Sequence, residues 1–482
     1  MQPHAHPTPQ TPQLNRRRWL QLAGSTLAGA LGAGALSSLV LSPARAQSGY
    51  KALVCVFLYG GNDGMNMVVP SDSARHAQYA GVRGDLALPR GSLVGLSGTD
   101  YGLHPSMSAL APAWAAGALA PVFNLGPLVA PLTKAEYRAA PASALPDNLF
   151  SHSDQQLLWE AGGASSLSRT GWGGRAAEAL GTTNPVISVG GNGHFGLSDL
   201  SAPLVLPGPG ATFGLEGYGG TWAPTVARQA ALDALYAQAQ PDALLRDAFS
   251  VQQRKAFDVA DRLGPIIDIT PGSAQASAAI DGAFAPVISD GDFTNRLASQ
   301  LYQIAKLVWQ NGTVQGSRQI FFATQGGFDT HSAQIAGDAE GGTHAELMQE
   351  LADAMACFHN AMVAVGMGDA VTLFTQSDFG RTFAPNSSSG TDHAWGNHQL
   401  VLGGAVNGGT TYGTYPELVL GGPSDVGVDD WELQGRWIPT SSVDQYAATL
   451  LNWFGATPGQ LDTILPNLAN FGSNRNLGFM GA

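Results

Sequence analysis

Short, continuous apolar runs that end in glycine- or acid-bearing turns constrain this chain most. Ala52 to Tyr59 ends at Gly60-Gly61, Gln319 to Thr324 leads into Gly326-Gly327, and Val371 to Thr375 leads into Ser377-Asp378. A run this short, with no polar alternation, reads as a strand buried on both faces. Such strands belong to parallel sheets covered by helices on both sides. Leu119 to Asn124, Val186 to Val189 and Gln399 to Gly403 fit the same description.

Helical patterns fall between these runs. His104 to Gly117 and Ser151 to Ala161 are two of them, and Leu297, Leu301, Ile304, Ala305 and Val308 mark one face of a third. Thr343-His344-Ala345-Glu346 reads as a capping box opening a helix that buries Leu347, Leu351, Met355, Phe358 and Met362 and ends by Gly366. A last helix is expected from Val443 to Phe454. The alternation predicts an α/β fold, a mostly parallel sheet with helices on both faces. Residues 192–290 break the rhythm with a Pro/Gly-rich patch, Pro203 to Gly220, and an Ala-rich helical stretch, Thr225 to Leu263. They are expected to form an insertion or cap in a single domain spanning 47–482.

The first 46 residues carry an address. Asn15-Arg16-Arg17-Arg18-Trp19-Leu20 precedes a mildly apolar run from Leu22 to Leu41, and Ala44-Arg45-Ala46 fits a small-x-small cleavage site. This is the pattern of a twin-arginine export signal with a mature start at Gln47. The expected partner during export is the twin-arginine translocase, and the destination is periplasmic or secreted. Gly24, Ser25, Gly29, Gly32, Gly34, Ser37 and Ser38 interrupt the run. A spanning helix needs about 20 strongly apolar residues, so no stable membrane insertion is expected.

Composition narrows the function classes. A formal charge of −13 makes a poor nucleic-acid binder. Hydrophobic residues at 44% argue against disorder. Cys55 in a strand and Cys357 in a helix are expected as two packed thiols, although an exported protein could bridge them. A redox enzyme finds no support in a dinucleotide fingerprint or a cysteine cluster.

The chemistry-bearing residues follow the apolar runs: Asp63 in Gly-Asn-Asp-Gly, Asp329-Thr330-His331, Asp378 with Arg381, and Asp392-His393 before Gln399. In open α/β sheets, ligand-binding residues gather beyond the carboxyl ends of strands, so one shared site is expected. Carboxylate and imidazole together suit zinc, manganese or non-haem iron; zinc is the first expectation and manganese the second. Arg381 could offer a planar fork to a sulfate, phosphate or carboxylate. Duller roles stay open, because Asp63 could make a turn, Arg381 a salt bridge and His398 a packing contact. His344 could cap its helix or donate to the site, His359 belongs to the core, and His104 and His152 are further candidates.

Read together, GGNDGMNMVVP at Gly60 to Pro70, GGFDTHSAQ at Gly326 to Gln334, SDFGRTFAPNSSSGTDHAWGNH at Ser377 to His398 and YGTYPEL at Tyr412 to Leu418 resemble the bacterial family called domain of unknown function 1501 (DUF1501). That family is in turn similar to the alkaline phosphatase and sulfatase superfamily. The resemblance implies an alkaline phosphatase-like fold. It implies that Asp63 binds metal after the first strand, that Asp329, His331 and His393 make a first metal site, and that Asp378 belongs to a second. There the phosphatases have an Asp-His pair, and this chain has Asp378-Phe379.

The resemblance also implies a nucleophile at a helix start, for which Ser151 is the nearest match; a cap paired with Asp154 is the other role open to it. The expected function is a metal-dependent hydrolase of sulfate or phosphate esters, acting on a small-molecule or polysaccharide anionic ester. Ser151 or a water would attack. The competing expectation is a noncatalytic envelope binding protein that keeps the fold.

Overall fold

The computed structural model describes residues 49–215, 221–237 and 244–481. The export signal expected over 1–46 therefore lies outside the described residues. Among those described, a nine-stranded mixed sheet forms the centre. Its strands are β1 (Lys51–Leu58), β2 (Leu119–Gly126), β3 (Ile187–Ser188), β4 (Leu204–Val205), β5 (Arg318–Gln325), β6 (Val371–Ser377), β7 (Asn397–Leu402), β8 (Tyr412–Gly413) and β9 (Ser441–Ser442). The order is β8-β2-β7-β6-β1-β5-β3-β4, with β9 pairing β2. The helices used below are α1 (Ser73–Arg83), α2 (His152–Ala161), α3 (Trp172–Ala179), α4 (Ala223–Ala237), α5 (Leu244–Ile267), α6 (Arg296–Trp309), α7 (Thr343–Ala364) and α8 (Val443–Phe454).

Strand β1 runs parallel to both neighbours, β5 and β6, and is buried from Ala52 to Leu58. Successive side chains point to opposite faces. Ala52, Val54, Val56 and Leu58 join the core under α6 and α7, whereas Leu53, Cys55 and Phe57 join the core under α3 and α8. Both faces are covered, which is why the strand carries no polar alternation. Cys55 and Cys357 are free and buried.

Three local expectations change. Strand β7 runs antiparallel to β6 and β2, so the sheet is mixed. Gly342, at φ +96°, holds the cap position of α7 with Thr343 inside the helix, so Thr343 makes no capping box. The stretch expected as one helix from His104 is a 3-10 turn, Pro105–Leu110, followed by a short α-helix, Ala111–Ala115. Residues 192–290 hold β4, α4 and α5. Leu263, Ile266 and Ile267 of α5 join the main core. No helix among the described residues is long and apolar enough to cross a membrane.

The antiparallel sense of β7 matters for the site. Strands β1, β5 and β6 deliver the loops that follow them to one rim of the sheet. A strand running the other way delivers the loop that precedes it to that rim. His393, before β7, thereby meets Asp329, after β5. The rim is tightly packed: Gly60 and Gly61 follow β1 at φ +113° and +77°. A Cβ on Gly60 would lie 2.4 Å from the Asp329 backbone nitrogen, and one on Gly61 would lie 2.4 Å from the Phe379 ring. Left-handed backbone and close approach both require glycine there.

Candidate metal centre

Four side chains from three segments converge at this rim: His152 at the start of α2, Asp329 and His331 after β5, and His393 before β7. Their donor atoms lie within 4.8 Å of one another, and among the described residues they form the one group of this kind. Asp329 Oδ1 stands 3.1 Å from His331 Nε2, 3.2 Å from His152 Nε2 and 3.7 Å from His393 Nε2. The Nε2 atoms of His331 and His393 are 2.8 Å apart. Four donors bound tetrahedrally at zinc-like distances would be about 3.3 Å apart. The observed separations bracket that spacing.

The far side of each ring is also held. His152 Nδ1 donates to Asp378 Oδ2 (2.6 Å), His331 Nδ1 to Asp392 Oδ1 (2.9 Å) and His393 Nδ1 to the carbonyl of Phe150 (2.7 Å). Phe150 sits at φ +73°, a conformation uncommon for a non-glycine residue. Carboxylates and carbonyls accept only, so each neutral ring carries its hydrogen on Nδ1 and turns the Nε2 lone pair inward. With all three rings neutral, three imidazole acceptors face the Asp329 carboxylate oxygen, which Arg381 reaches from outside the cluster. His152 Nε2 is buried and makes no hydrogen bond. A cation or a proton at its centre stabilises such an arrangement, and holding the outer nitrogen of each ring is how proteins orient metal-binding histidines. The residues fit a metal ion, and the cluster could hold one.

Electrostatics keep Asp329 charged and His393 neutral, while without a cation they favour the protonated form of His152. Burial would raise the Asp329 carboxyl, but the Arg381 hydrogen bond and charge, with His152 and His331, hold it below its ordinary value. The bond to Asp378, against burial, raises His152. Burial lowers His393, the Phe150 carbonyl opposing, and the charges of His152 and Arg381 lower it further. Burial would raise Asp392, but its hydrogen bonds from His331 and Asn386 bring it down. Asp329 keeps 50% of its side-chain surface exposed, so the cluster opens to solvent.

The other expected site residues stand around this cluster. Asp378 is fully buried and accepts from the Gly60 backbone N–H, from His152 and from Gln156 Nε2, so it orients His152. Arg381 turns its fork inward. It donates to the carbonyls of Gly60, Gly61, Phe328 and Thr391 and to Asp329, clamping the loops around the cluster. Asp63 is sealed in the interior, where it pairs with Arg83 of α1 and accepts from Gln334. It is not among the four grouped donors. Burial would raise its carboxyl, yet the charges of Arg83 and His344 hold it low.

Ser151 occupies the cap position of α2, but its hydroxyl donates to Asp154 Oδ2 (2.7 Å) and caps no backbone N–H. It lies between Phe150 and His152, both of which touch the cluster. His344 and His398 are buried, each with its pKa pushed down by burial to about 3. The member that sequence reasoning placed too low is His152. Its signal was spacing: His152, Gln156 and Glu160 repeat every fourth residue along one face of α2, and the first two both reach Asp378.

Comparisons with known proteins add the following. A search of curated proteins finds no match. Among solved structures, the crystal structure of Ps i-CgsB and that of Ps i-CgsB in complex with k-i-k-neocarrahexaose are similar at 11% identity and a TM-score of 0.33, covering 88% of this chain and 77% of those chains. The family model described as protein of unknown function (DUF1501) matches residues 50–423, and the chain belongs to that family.

Proposed function

We propose that the protein is an exported, metal-dependent hydrolase of sulfate or phosphate esters, on a scaffold similar to the alkaline phosphatases and sulfatases. One observation carries the reading: His152, His331 and His393 each turn the outer ring nitrogen to an oxygen acceptor and the Nε2 atom toward Asp329, with the four metal-ligating atoms within 4.8 Å of one another. Nitrogen and oxygen donors at tetrahedral spacing favour zinc, with manganese next. A divalent cation bound there supplies Lewis acidity toward an ester oxygen.

The chain's own groups do the rest. Asp329, His152, His331 and His393 would hold the ion, and Asp378, Asp392 and the Phe150 carbonyl fix the rings. The Ser151 hydroxyl, bonded to Asp154, is the candidate nucleophile; Asp154 orients its lone pairs and can take its proton. Arg381 keeps Asp329 charged and in place. Asp329 keeps half of its side-chain surface exposed, so an anionic ester, small or polymeric, could approach from solvent.

Metal analysis of purified protein, together with a panel of aryl sulfate and phosphate esters with and without chelator, tests this. Stoichiometric metal and chelator-sensitive turnover are expected, both lost in Asp329→Ala/His331→Ala. A parent protein without bound metal removes the basis of the proposal. Export by the twin-arginine translocase is tested by Arg16→Lys/Arg17→Lys, expected to leave the precursor uncleaved in the cytoplasm.

A second reading is a noncatalytic envelope binding protein. It is favoured by Asp63, the carboxylate that resemblance assigns to metal, which is enclosed with Arg83. Stoichiometric metal with no turnover on any ester would support it.

A further inference from the structure

Gln334 is fully buried and spans three elements at once. Its Nε2 donates to Asp63 Oδ2 (2.6 Å), while its Oε1 accepts from the hydroxyls of Thr330 (3.1 Å) and Thr391 (2.7 Å). Thr330 stands between the ligands Asp329 and His331, and Thr391 precedes Asp392 and His393. The Thr391 backbone N–H also donates to the Thr330 carbonyl (3.1 Å). Below, Asp63 is held by Arg83, whose Nη1 donates to the carbonyls of Thr382 and Phe383. A single amide therefore joins both ligand-bearing loops to one buried ion pair.

We propose that Gln334 is a positioning residue of the metal centre, and that Asp63 with Arg83 is its anchor. This rests on the reading of the His152/Asp329/His331/His393 cluster as a metal site. The amide meets two opposite needs: the carboxylate of Asp63 needs a donor and the two hydroxyls need an acceptor, and a glutamine supplies both from one group. An apolar side chain of the same size leaves the Thr391 hydroxyl without its acceptor and Asp63 with Arg83 alone, in a dry interior. The Thr391 hydroxyl then loses its fixed direction, and the loops lose a side-chain link beside the Thr391–Thr330 backbone bond that bears on the His331–His393 separation. Metal bonds tolerate deviations of only about 0.2 Å.

Cobalt(II) titration of the metal-free protein, followed by its visible absorption bands, reads ligand geometry as well as affinity. Gln334→Met is expected to bind cobalt about 10–100-fold more weakly, with shifted bands, as is usual when groups that orient metal ligands are lost. Thr391→Val removes one of the three links and should weaken binding about fivefold, which keeps the proposal testable if Gln334→Met does not fold. Parent-like affinity and spectrum in Gln334→Met, or in Thr391→Val when only that variant folds, overturn it. A parent that binds no cobalt overturns the metal site itself.

Discussion

Two groups of acids and imidazoles stand on either side of Gln334, and they solve the same electrostatic problem in opposite ways. At the rim, Asp329 and three histidines face one another with half of the carboxylate in water. In the interior, Asp63 lies near His104 and His344 with no exposed side-chain surface, and Arg83 touches it. A group open to solvent can take its cation from solution. A buried carboxylate must carry its cation in the chain, because an unpaired charge there costs several kcal/mol. The rim is therefore suited to exchange a ligand and the interior to stay fixed.

The largest effect should come from emptying the rim. Asp329→Ala/His331→Ala removes two of four donors and should abolish stoichiometric metal, seen by elemental analysis, while the metal-free protein keeps its circular dichroism. Collapse of the fold would instead make the rim structural and erase the distinction from the interior.

Acid should act on the interior. His104, His344 and His398 are buried, with pKa values pushed down to about 4, 3 and 3 by burial. Their folded values lie below the ordinary 6.5, so the unfolded chain takes up protons that the folded chain refuses. Their contribution is complete above pH 6.5 and is lost as pH falls toward those values. From pH 6.5 to 5 the loss is about 2 kcal/mol for each histidine. Asp63, held below 3.8, keeps its contribution throughout that window and loses it only in stronger acid. Denaturant unfolding of metal-free protein between pH 7 and 5 checks this; a level stability across that range contradicts the buried neutral histidines.

Asp63→Ala leaves Arg83 charged and unpaired in the core. A cost of about 3–5 kcal/mol is expected in denaturant unfolding, with or without metal. If the cost appeared only in the metal-loaded protein, Asp63 would belong to the rim. Asp392→Asn is milder. It can turn an N–H toward His331 Nδ1 and so weaken the hold on that ring, lowering metal affinity about 10–100-fold with unfolding of the metal-free protein nearly unchanged.

Much of the scaffold is legible in the residues because burial writes it there. β1 reads as a strand since both faces are covered, and α8 shows its full extent from Val443 to Phe454. Strand direction leaves no such trace: the buried apolar stretch of Leu400, Val401 and Leu402 in antiparallel β7 looks like the apolar stretches of its parallel neighbours. Asp63 and Asp329 illustrate the limit at the site. Both are acids in glycine-bearing turns after apolar strands. What separates them is Arg83, which α1 folds back onto Asp63 and which no local pattern announces. Arg381 is similar, since nothing in its sequence context says that its fork turns inward onto four carbonyls. His152 was obscured by its place at a helix start rather than at a strand end.

The smallest structural effect belongs to Ser151→Ala, and that makes it the most informative about chemistry. An N-cap serine normally accepts a backbone N–H, and its loss costs about 1 kcal/mol. Here the hydroxyl donates to Asp154 instead and caps nothing. Its removal should therefore change unfolding by less than about 0.5 kcal/mol and leave metal content unchanged. If the hydroxyl is the nucleophile, ester turnover in Ser151→Ala should fall by orders of magnitude at constant metal occupancy. If a water attacks instead, turnover should survive. A loss of stability comparable to that of an ordinary cap would return Ser151 to the helix and leave the rim without a nucleophile from the chain.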